Sequence, residues 1–318
     1  MASARFPEEI FRVSLPAVDV SLVLIYFVAT LGIGFWISRR AARNLEGYFL
    51  GGNAISWYAL GLSNASGMFD ISGTMLMVSW LFVYGLKSVW IPWLWPVFNQ
   101  VFLMIYLSVW LRRSGVMTGA EWIRFRFGDS TGAHLAHCVV VLFALVNVIG
   151  FLAYGFIGIG KFAATFLPWT LAEDPRLNEQ WYGLIVTALT TLYVVKGGML
   201  SVVVTEVMQY VLMTIACVWI GLLAMARVTP NLVASSTPDG WTNLFFGRRL
   251  GLEWTEVLPA AGLRISQDGW ELFSVFVAMI LAKGWLQSLA GPAPNYDMQR
   301  VLSAKTPVEA AKMSGLVS

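Results

Sequence analysis

The residues that could do chemistry are concentrated in one stretch, Asn64-Ala65-Ser66-Gly67-Met68-Phe69-Asp70-Ile71-Ser72-Gly73-Thr74. It lies inside a long apolar segment, Trp57 to Tyr84, long enough to cross a bilayer, which takes about 20 residues of helix. A carboxylate at that depth costs about 2.5–3.5 kcal/mol on insertion scales, so it is kept where it binds or relays something. Gly67 and Gly73 loosen the helix on either side of it, and unwound backbone is tolerated in a membrane only against protein or a water-filled cavity. The stretch therefore reads as a discontinuous helix that offers carbonyls and hydroxyls to a cation. The hydroxyls alone could equally bond back to their own helix or join two helices; Asp70 is what points to a site.

Other reactive side chains are few. Glu206 falls about two turns after Gly198, where a carboxylate can line an ion path or simply answer a helix dipole. Lys283 sits within an apolar run, where it either lines a solute path or stretches to the interface, as Lys161 can. His134 and His137 share a helix face with no carboxylate or thiol placed to complete a metal site. Cys138 and Cys217 lie in apolar runs and read as small core residues. Neither a metal cluster nor a nucleophile–base pair is legible, so the chain does not read as an enzyme.

The elements that must position these groups are membrane spans. Of 318 residues 58% are hydrophobic and only 12% charged, about half the charge of a soluble domain. The expected spans are a leading helix at about 18–38, then a set of five over about 57–226 and a further one at about 271–290, with an outer loop at 229–269. The first span is too long for a signal-peptide core and is followed by Arg39-Arg40, not by a cleavage site. Arg39, Arg40, Arg43, Arg112, Arg113, Arg124, Arg126, Lys196, Arg300, Lys305 and Lys312 all fall on one side of this alternating arrangement, and only Lys87 and Arg176 occupy the opposite short loops. The rich side is cytoplasmic, which places the N-terminus outside and the protein in the plasma (inner) membrane. These basic residues serve the bilayer, not nucleic acid.

Span two carries the interrupted polar centre. Span seven carries Lys283, Gly284 and Gln287 and ends in Gly291-Pro292-Ala293-Pro294. Interrupted segments at matching places in two halves mark an inverted-repeat secondary transporter, with its site near the bilayer midplane. Here the second half stops after its first helix.

Tyr193, Gly197-Gly198, Ser201, Thr205-Glu206 and Gln209, read as Y-x3-G-G-x2-S-x3-T-E-x2-Q, resemble the hallmark of the sodium:solute symporter family. Tyr48-Phe49-Leu50-Gly51-Gly52 resembles its first cytoplasmic loop and Thr118 to Gly128 its second. Gln299-Arg300 with Lys305 and Glu309-Ala310 resembles the segment after its seventh span. The resemblance implies an all-α polytopic membrane protein with a leucine-transporter-type fold of five plus five inverted helices behind one extra N-terminal helix, here incomplete, with about seven spans. It implies Na+-coupled symport of a small solute, with Na+ as coupling ion and no organic cofactor. Asp70-Ile71-Ser72-Gly73 is similar to the Asp-x-Ser-Gly of proline-type members, which would make Asp70 a sodium carboxylate. A gapless match instead puts Met68 at the Asp/Asn position and Ser66 and Phe69 at the carbonyl donors. Both registers stay open, so the ion-site candidates are Ser66, Met68, Phe69, Asp70, Ile71 and Ser72. Glu206 is the candidate for an ion path or gate, and Asn64, Lys283 and Gln287 for the solute. Two departures stand out: Asn53 where many members have Arg or Lys, and Glu206 in place of Asp.

The expectation is thus the N-terminal portion of a single transporter domain over 1–318, unable to transport alone. The alternative from another class is a transporter-like membrane sensor or receptor module. Whether the solute is a sugar, an amino acid or a carboxylate is not written in these residues.

Overall fold

A computed structural model describes residues 16–41, 44–289 and 297–317, with positions 39–41, 93–97, 287–289 and 297 described through their backbone alone. Regular structure among them is helical, apart from one isolated parallel bridge between Ile55 and Ala304. The leading helix α1 spans Ala17–Ala41, and a short α2, Leu45–Leu50, follows under an Asn44 cap that takes the Gly47 N–H at 2.7 Å.

The expected interruption is present. Helix α3 covers Trp57–Gly67 and α4 covers Ile71–Tyr84, and the two are bent by 63°. The last turn of α3 tightens: Met68 N–H bonds Ala65 O at 3.2 Å and Phe69 N–H bonds Ser66 O at 3.0 Å. Asp70 then turns extended (φ −132°, ψ 157°) and its carboxylate takes the Gly73 N–H at 2.6 Å. An aspartate cap satisfies one of the donors that every helix start leaves open, so the sequence that ends one half-helix also begins the next.

Beyond a 3-10 turn at Leu86–Val89, α5 (Trp90–Phe102) runs through a wide π turn at Leu103–Leu107 into α6 (Ser108–Ser114). Together they form one continuous rod, about 37 Å long at about 1.5 Å per residue. The short α7 (Gly119–Phe127) opens with a capping box: Thr118 Oγ1 takes the Glu121 N–H, and Glu121 Oε2 takes the Met117 N–H. Helix α8 spans Thr131–Phe166 and α9 spans Pro175–Arg227. The 53 residues of α9 would reach about 80 Å if straight, far beyond the roughly 30 Å hydrocarbon core. Gly198 (φ 57°, ψ −158°) breaks it, so the turn expected at Lys196-Gly197-Gly198 comes down to a single non-helical residue.

The segment expected as an outer loop is partly helical. It holds α10 (Pro230–Ser236) and α11 (Pro259–Asp268), and α11 meets α12 (Phe273–Leu289) at 81°. Two short helices close the described chain, α13 (Asp297–Ser303) and α14 (Pro307–Val317).

Buried apolar residues form two cores, one toward each end. One gathers Leu60, Leu107, Leu111, Val301, Leu302 and Met313; the other gathers Tyr84, Ile91, Trp254, Trp270 and Phe273. Between them the outward faces of α1, α8 and α9 carry rows of exposed Leu, Ile, Val and Phe, such as Leu142, Ile149, Ile215 and Ile220, each over 60% exposed. In water such continuous faces would be an interaction liability; in lipid they are simply the solvent-exposed side. Cys138 and Cys217 belong to these faces and are exposed, contrary to their expected place in the core. Both helices are apolar all round, so hydrophobicity alone did not separate core from lipid contact.

Candidate functional site

The broken span divides its polar groups between two directions. On α3, Ser63, Asn64 and Ser66 are buried, Asn64 completely, and the Asn64 amide has neither a donor nor an acceptor partner among the described residues. A buried amide without hydrogen bonds costs about 1–3 kcal/mol, a cost that Asn64 shares with the buried Gln100 amide. Met68 and Phe69 form the linker, with Phe69 half exposed. On the other side Asp70 opens toward α8, into a cleft of about 470 Å³ lined also by Phe143, Asn147, Phe151 and Tyr154. Ile71 and Ser72 belong to the first turn of α4. The Ser72 hydroxyl sits in the notch left by Gly158 of α8, where a Cβ would come within 1.6 Å of it.

A second polar cluster ties three elements together. Arg300 of α13 donates from Nη2 to both carboxylate oxygens of Glu206, at 2.6 and 2.8 Å, and from Nε to Ser63 Oγ at 2.9 Å. Ser63 in turn donates to Glu206 Oε2. The Arg300 side chain is 5% exposed and that of Glu206 17%, so this is a largely dehydrated pair. Glu206 does not merely answer a helix dipole; it binds the half-helix α3 to α13 through α9. Arg300 itself escaped selection as a site residue, although it stands in the Gln299-Arg300 motif. Nothing local in the sequence pairs two charges 94 positions apart.

Around this knot, side chains fasten α13 and its neighbours to the first helices. Gln299 donates to Phe49 O and Met117 O, Arg112 donates to Ala304 O, and Ser108 and Ser314 share a hydrogen bond. The hallmark positions pack here too. Tyr48 Oη donates to Val195 O at 3.0 Å, Gly198 lies against Tyr48 O, and Gln209 donates to Tyr26 of α1.

At the opposite end, the 229–272 segment covers the end of α4. Trp254 and Trp241 donate their indole N–H groups to Val83 O and Phe82 O, Trp270 stacks on Tyr84 at 3.9 Å, and Tyr84 donates to Asp268. Lys87 donates to Leu250 O, and burial pulls its ammonium below the usual lysine range. On the arginine-rich end, the Arg124 guanidinium holds the Asp129 carboxyl below its usual range.

Of the two expected solute residues on α12, the structure describes the side chain of one. Lys283 is exposed on α12, which packs mainly on α5; the side chain of Gln287 lies outside the described residues. His137 Nδ1 pairs with Ala120 O at 2.9 Å and His134 lies 3.9 Å from Asp129. The described residues contain no group of three or more His, Cys, Asp or Glu side chains that could hold a metal ion.

The model of the sodium:solute symporter family matches residues 48–305. The chain belongs to the sodium:solute symporter family. Among its relatives, sodium/glucose cotransporter 4 of Danio rerio is 30% identical over 232 residues, which cover 70% of this chain and 32% of the relative. Sodium/proline symporter 2 of Staphylococcus saprophyticus is 30% identical over 240 residues, covering 71% and 44%. A solved structure of a Na+-coupled sialic acid symporter, substrate-bound and outward-open, superposes with a TM-score of 0.62 at 13% identity, covering 95% of this chain and 56% of that one. That likeness establishes the symporter fold for the helices described above. The chain thus spans between about a third and just under half the length of the curated relatives it matches. As a family member it is a membrane protein, and the lipid-facing rows on α1, α8 and α9 have their explanation.

Proposed function

We propose that the chain supplies the leading helix, the first repeat and the start of the second repeat of a Na+-coupled symporter that moves a small solute by alternating access. It does so as a multi-pass plasma-membrane protein, with no organic cofactor and no chemical step. The observation that carries this reading is the interrupted α3–α4 span, with a wholly buried Asn64 beside the break that has no hydrogen-bond partner among the described residues. A hard cation such as Na+ takes oxygen ligands, and a half-helix end with its linker provides them. The ion set we propose is the Ser66 hydroxyl and the carbonyls of Met68 and Phe69, with Asp70 contributing negative charge nearby. Ile71 and Ser72 are weaker candidates, because first-turn carbonyls are taken by the ladder of their own helix. Asn64 would complete the ion site or meet the solute, and Lys283 and Gln287 would approach only from α12.

We count seven spans: α1, the α3–α4 pair, the α5–α6 rod, α8, the two parts of α9, and the α11–α12 pair. Packing supports the orientation with the N-terminus outside, since the arginine-rich segment 112–126 and the segment 297–305 meet at one end. Glu206, held by Arg300 and Ser63, would then be a gate on the cytoplasmic side.

The test is Na+-dependent uptake of labelled sugars, amino acids and carboxylates into proteoliposomes carrying the gene product, with thermal stability measured in Na+ and in K+. Na+ at 100 times its dissociation constant should stabilise by about 2.7 kcal/mol, and Ser66→Ala should shrink that gain. Equal responses to Na+ and K+, with no solute accumulated, would sink the proposal.

A further inference from the structure

From the seam between α1 and α9 we infer that Tyr193 is a positioning residue: through it the leading helix holds the Glu206 carboxylate on Arg300. The inference rests on the reading of Glu206 as a gate and adds what sets that gate.

Tyr193, Gly197, Ser201, Thr205 and Gln209 stand at every fourth position of α9, which keeps each part of the helix, before and after its break at Gly198, on one face. On α1, Thr30, Gly34 and Ile37 are buried at steps of four and three, and α1 packs mainly on α9. The two stripes meet backbone to backbone. A Cβ on Gly34 would lie 2.6 Å from Tyr193 Cβ and 3.1 Å from its Cα, and a Cβ on Gly197 would lie 3.2 Å from Gly34 O. Small residues permit this approach between helices in a membrane, so α1 seats the root of the Tyr193 side chain at Gly34.

The tip is seated separately. Gln209 donates to Tyr26 Oη of α1, and the Tyr193 phenol lies within electrostatic reach of both these residues, of Thr205 and of the Glu206 carboxylate. Tyr193 therefore stands between the leading helix and the gate. On the far side of Glu206, Arg300 and Ser63 bond its oxygens from α13 and α3. A carboxylate accepts at about four lone-pair sites, so these bonds leave room for a phenol. Packed helices shift as rigid units between discrete arrangements rather than deforming continuously. A shift of α1 thus carries the root and tip of Tyr193 together and withdraws the phenol from Glu206, which loosens the hold on Arg300.

The experiment measures maleimide labelling of the purified gene product in lipid nanodiscs, with Cys138 and Cys217 replaced by serine. Val301→Cys puts the probe beside Arg300 in the core at that end, and Ala261→Cys puts a control in the opposite core; both positions are buried. Gly34→Ala wedges α1 off Tyr193, and Tyr193→Phe removes the hydroxyl while keeping the ring. Each should speed labelling at position 301 about three- to tenfold, the size of one hydrogen bond, and leave position 261 unchanged. Gly32→Ala, on the same helix but meeting nothing within 4 Å, should change neither. In a Glu206→Gln background the effects of Gly34→Ala and Tyr193→Phe should vanish. Where Gly34→Ala does not fold, Tyr26→Phe, which strips α1 of the hydroxyl that Gln209 meets, carries the same expectation. Equal acceleration at positions 301 and 261, or acceleration that persists with Glu206→Gln, shows that α1 only holds the fold together and overturns the inference. An unchanged rate at position 301 overturns it too. If Arg300→Ala also leaves that rate unchanged, the gate reading falls with it; if Arg300→Ala speeds labelling and the α1 and Tyr193 variants do not, the gate stands and this inference alone falls.

Discussion

Replacing Arg300 with alanine strands a carboxylate. The Glu206 side chain, 17% exposed, keeps its Ser63 hydrogen bond but loses both charge-assisted bonds from the guanidinium, and Ser63 loses a third. Breaking a buried pair from one side costs about 3–5 kcal/mol, because the remaining charge is uncompensated, and the residual access of Glu206 to solvent favours the lower end. For a chain of this size each kcal/mol moves the melting temperature by about 2–4 °C, so Arg300→Ala should lower it by roughly 6–12 °C in detergent. Adding Glu206→Gln should recover part of that loss, since it removes the orphaned charge, and the two changes should couple by about 1 kcal/mol or more in a double-mutant cycle. Arg300→Lys should fall between, because an ammonium keeps the charge without the two-pronged grip. The reasoning is refuted if Arg300→Ala shifts melting by less than about 2 °C, or if the double variant is simply additive. The same contacts join α3, α9 and α13, so loosening them should open that end of the bundle: a cysteine at Ser63 should react with maleimide faster when Arg300 is also replaced.

Three further outcomes follow from close contacts and unmet bonds. Gly158→Ala places a Cβ 1.6 Å from the Ser72 hydroxyl and should destabilise by about 1–3 kcal/mol; Ser72→Ala in the same chain should restore most of it in thermal unfolding. Gly198→Ala imposes a side chain at φ +57°, 2.6 Å from Tyr48 O, and should cost at least about 1–2 kcal/mol, read as lower melting and weaker expression. Asn64→Leu removes an amide that is buried without partners among the described residues; it should leave stability in K+ unchanged or raised by up to about 1 kcal/mol while abolishing the extra stability in Na+. An Asn64→Leu protein that still gains stability in Na+ would remove Asn64 from the site.

The parts of this protein legible in the sequence are those with a local physical cause. The long apolar runs, the arginines beside them and the glycines and aspartate in the second run each act through their immediate neighbours, and the broken helix forms where Gly67 and Asp70 stop one ladder and cap the next. The hallmark Tyr193–Gln209 pattern was readable as a family likeness, yet its reasons are tertiary: Gly198 makes room for Tyr48, and Gln209 reaches Tyr26. The 229–269 segment read as a loop because its tryptophans and glycines break any apolar period, and those indoles bond to the end of α4 across more than 150 positions.

The sequence by itself determined that the chain belongs in a membrane and that its second apolar run carries a polar break, since each rests on transfer energy and backbone preference within one segment. Tertiary structure alone decided that Asp70 faces α8 while Asn64 and Ser66 are buried, that Glu206 pairs with Arg300, and that Cys138 and Cys217 face outward. Those outcomes depend on how rigid helices rotate and pack against one another, and a segment apolar on every side does not record which side its neighbour takes.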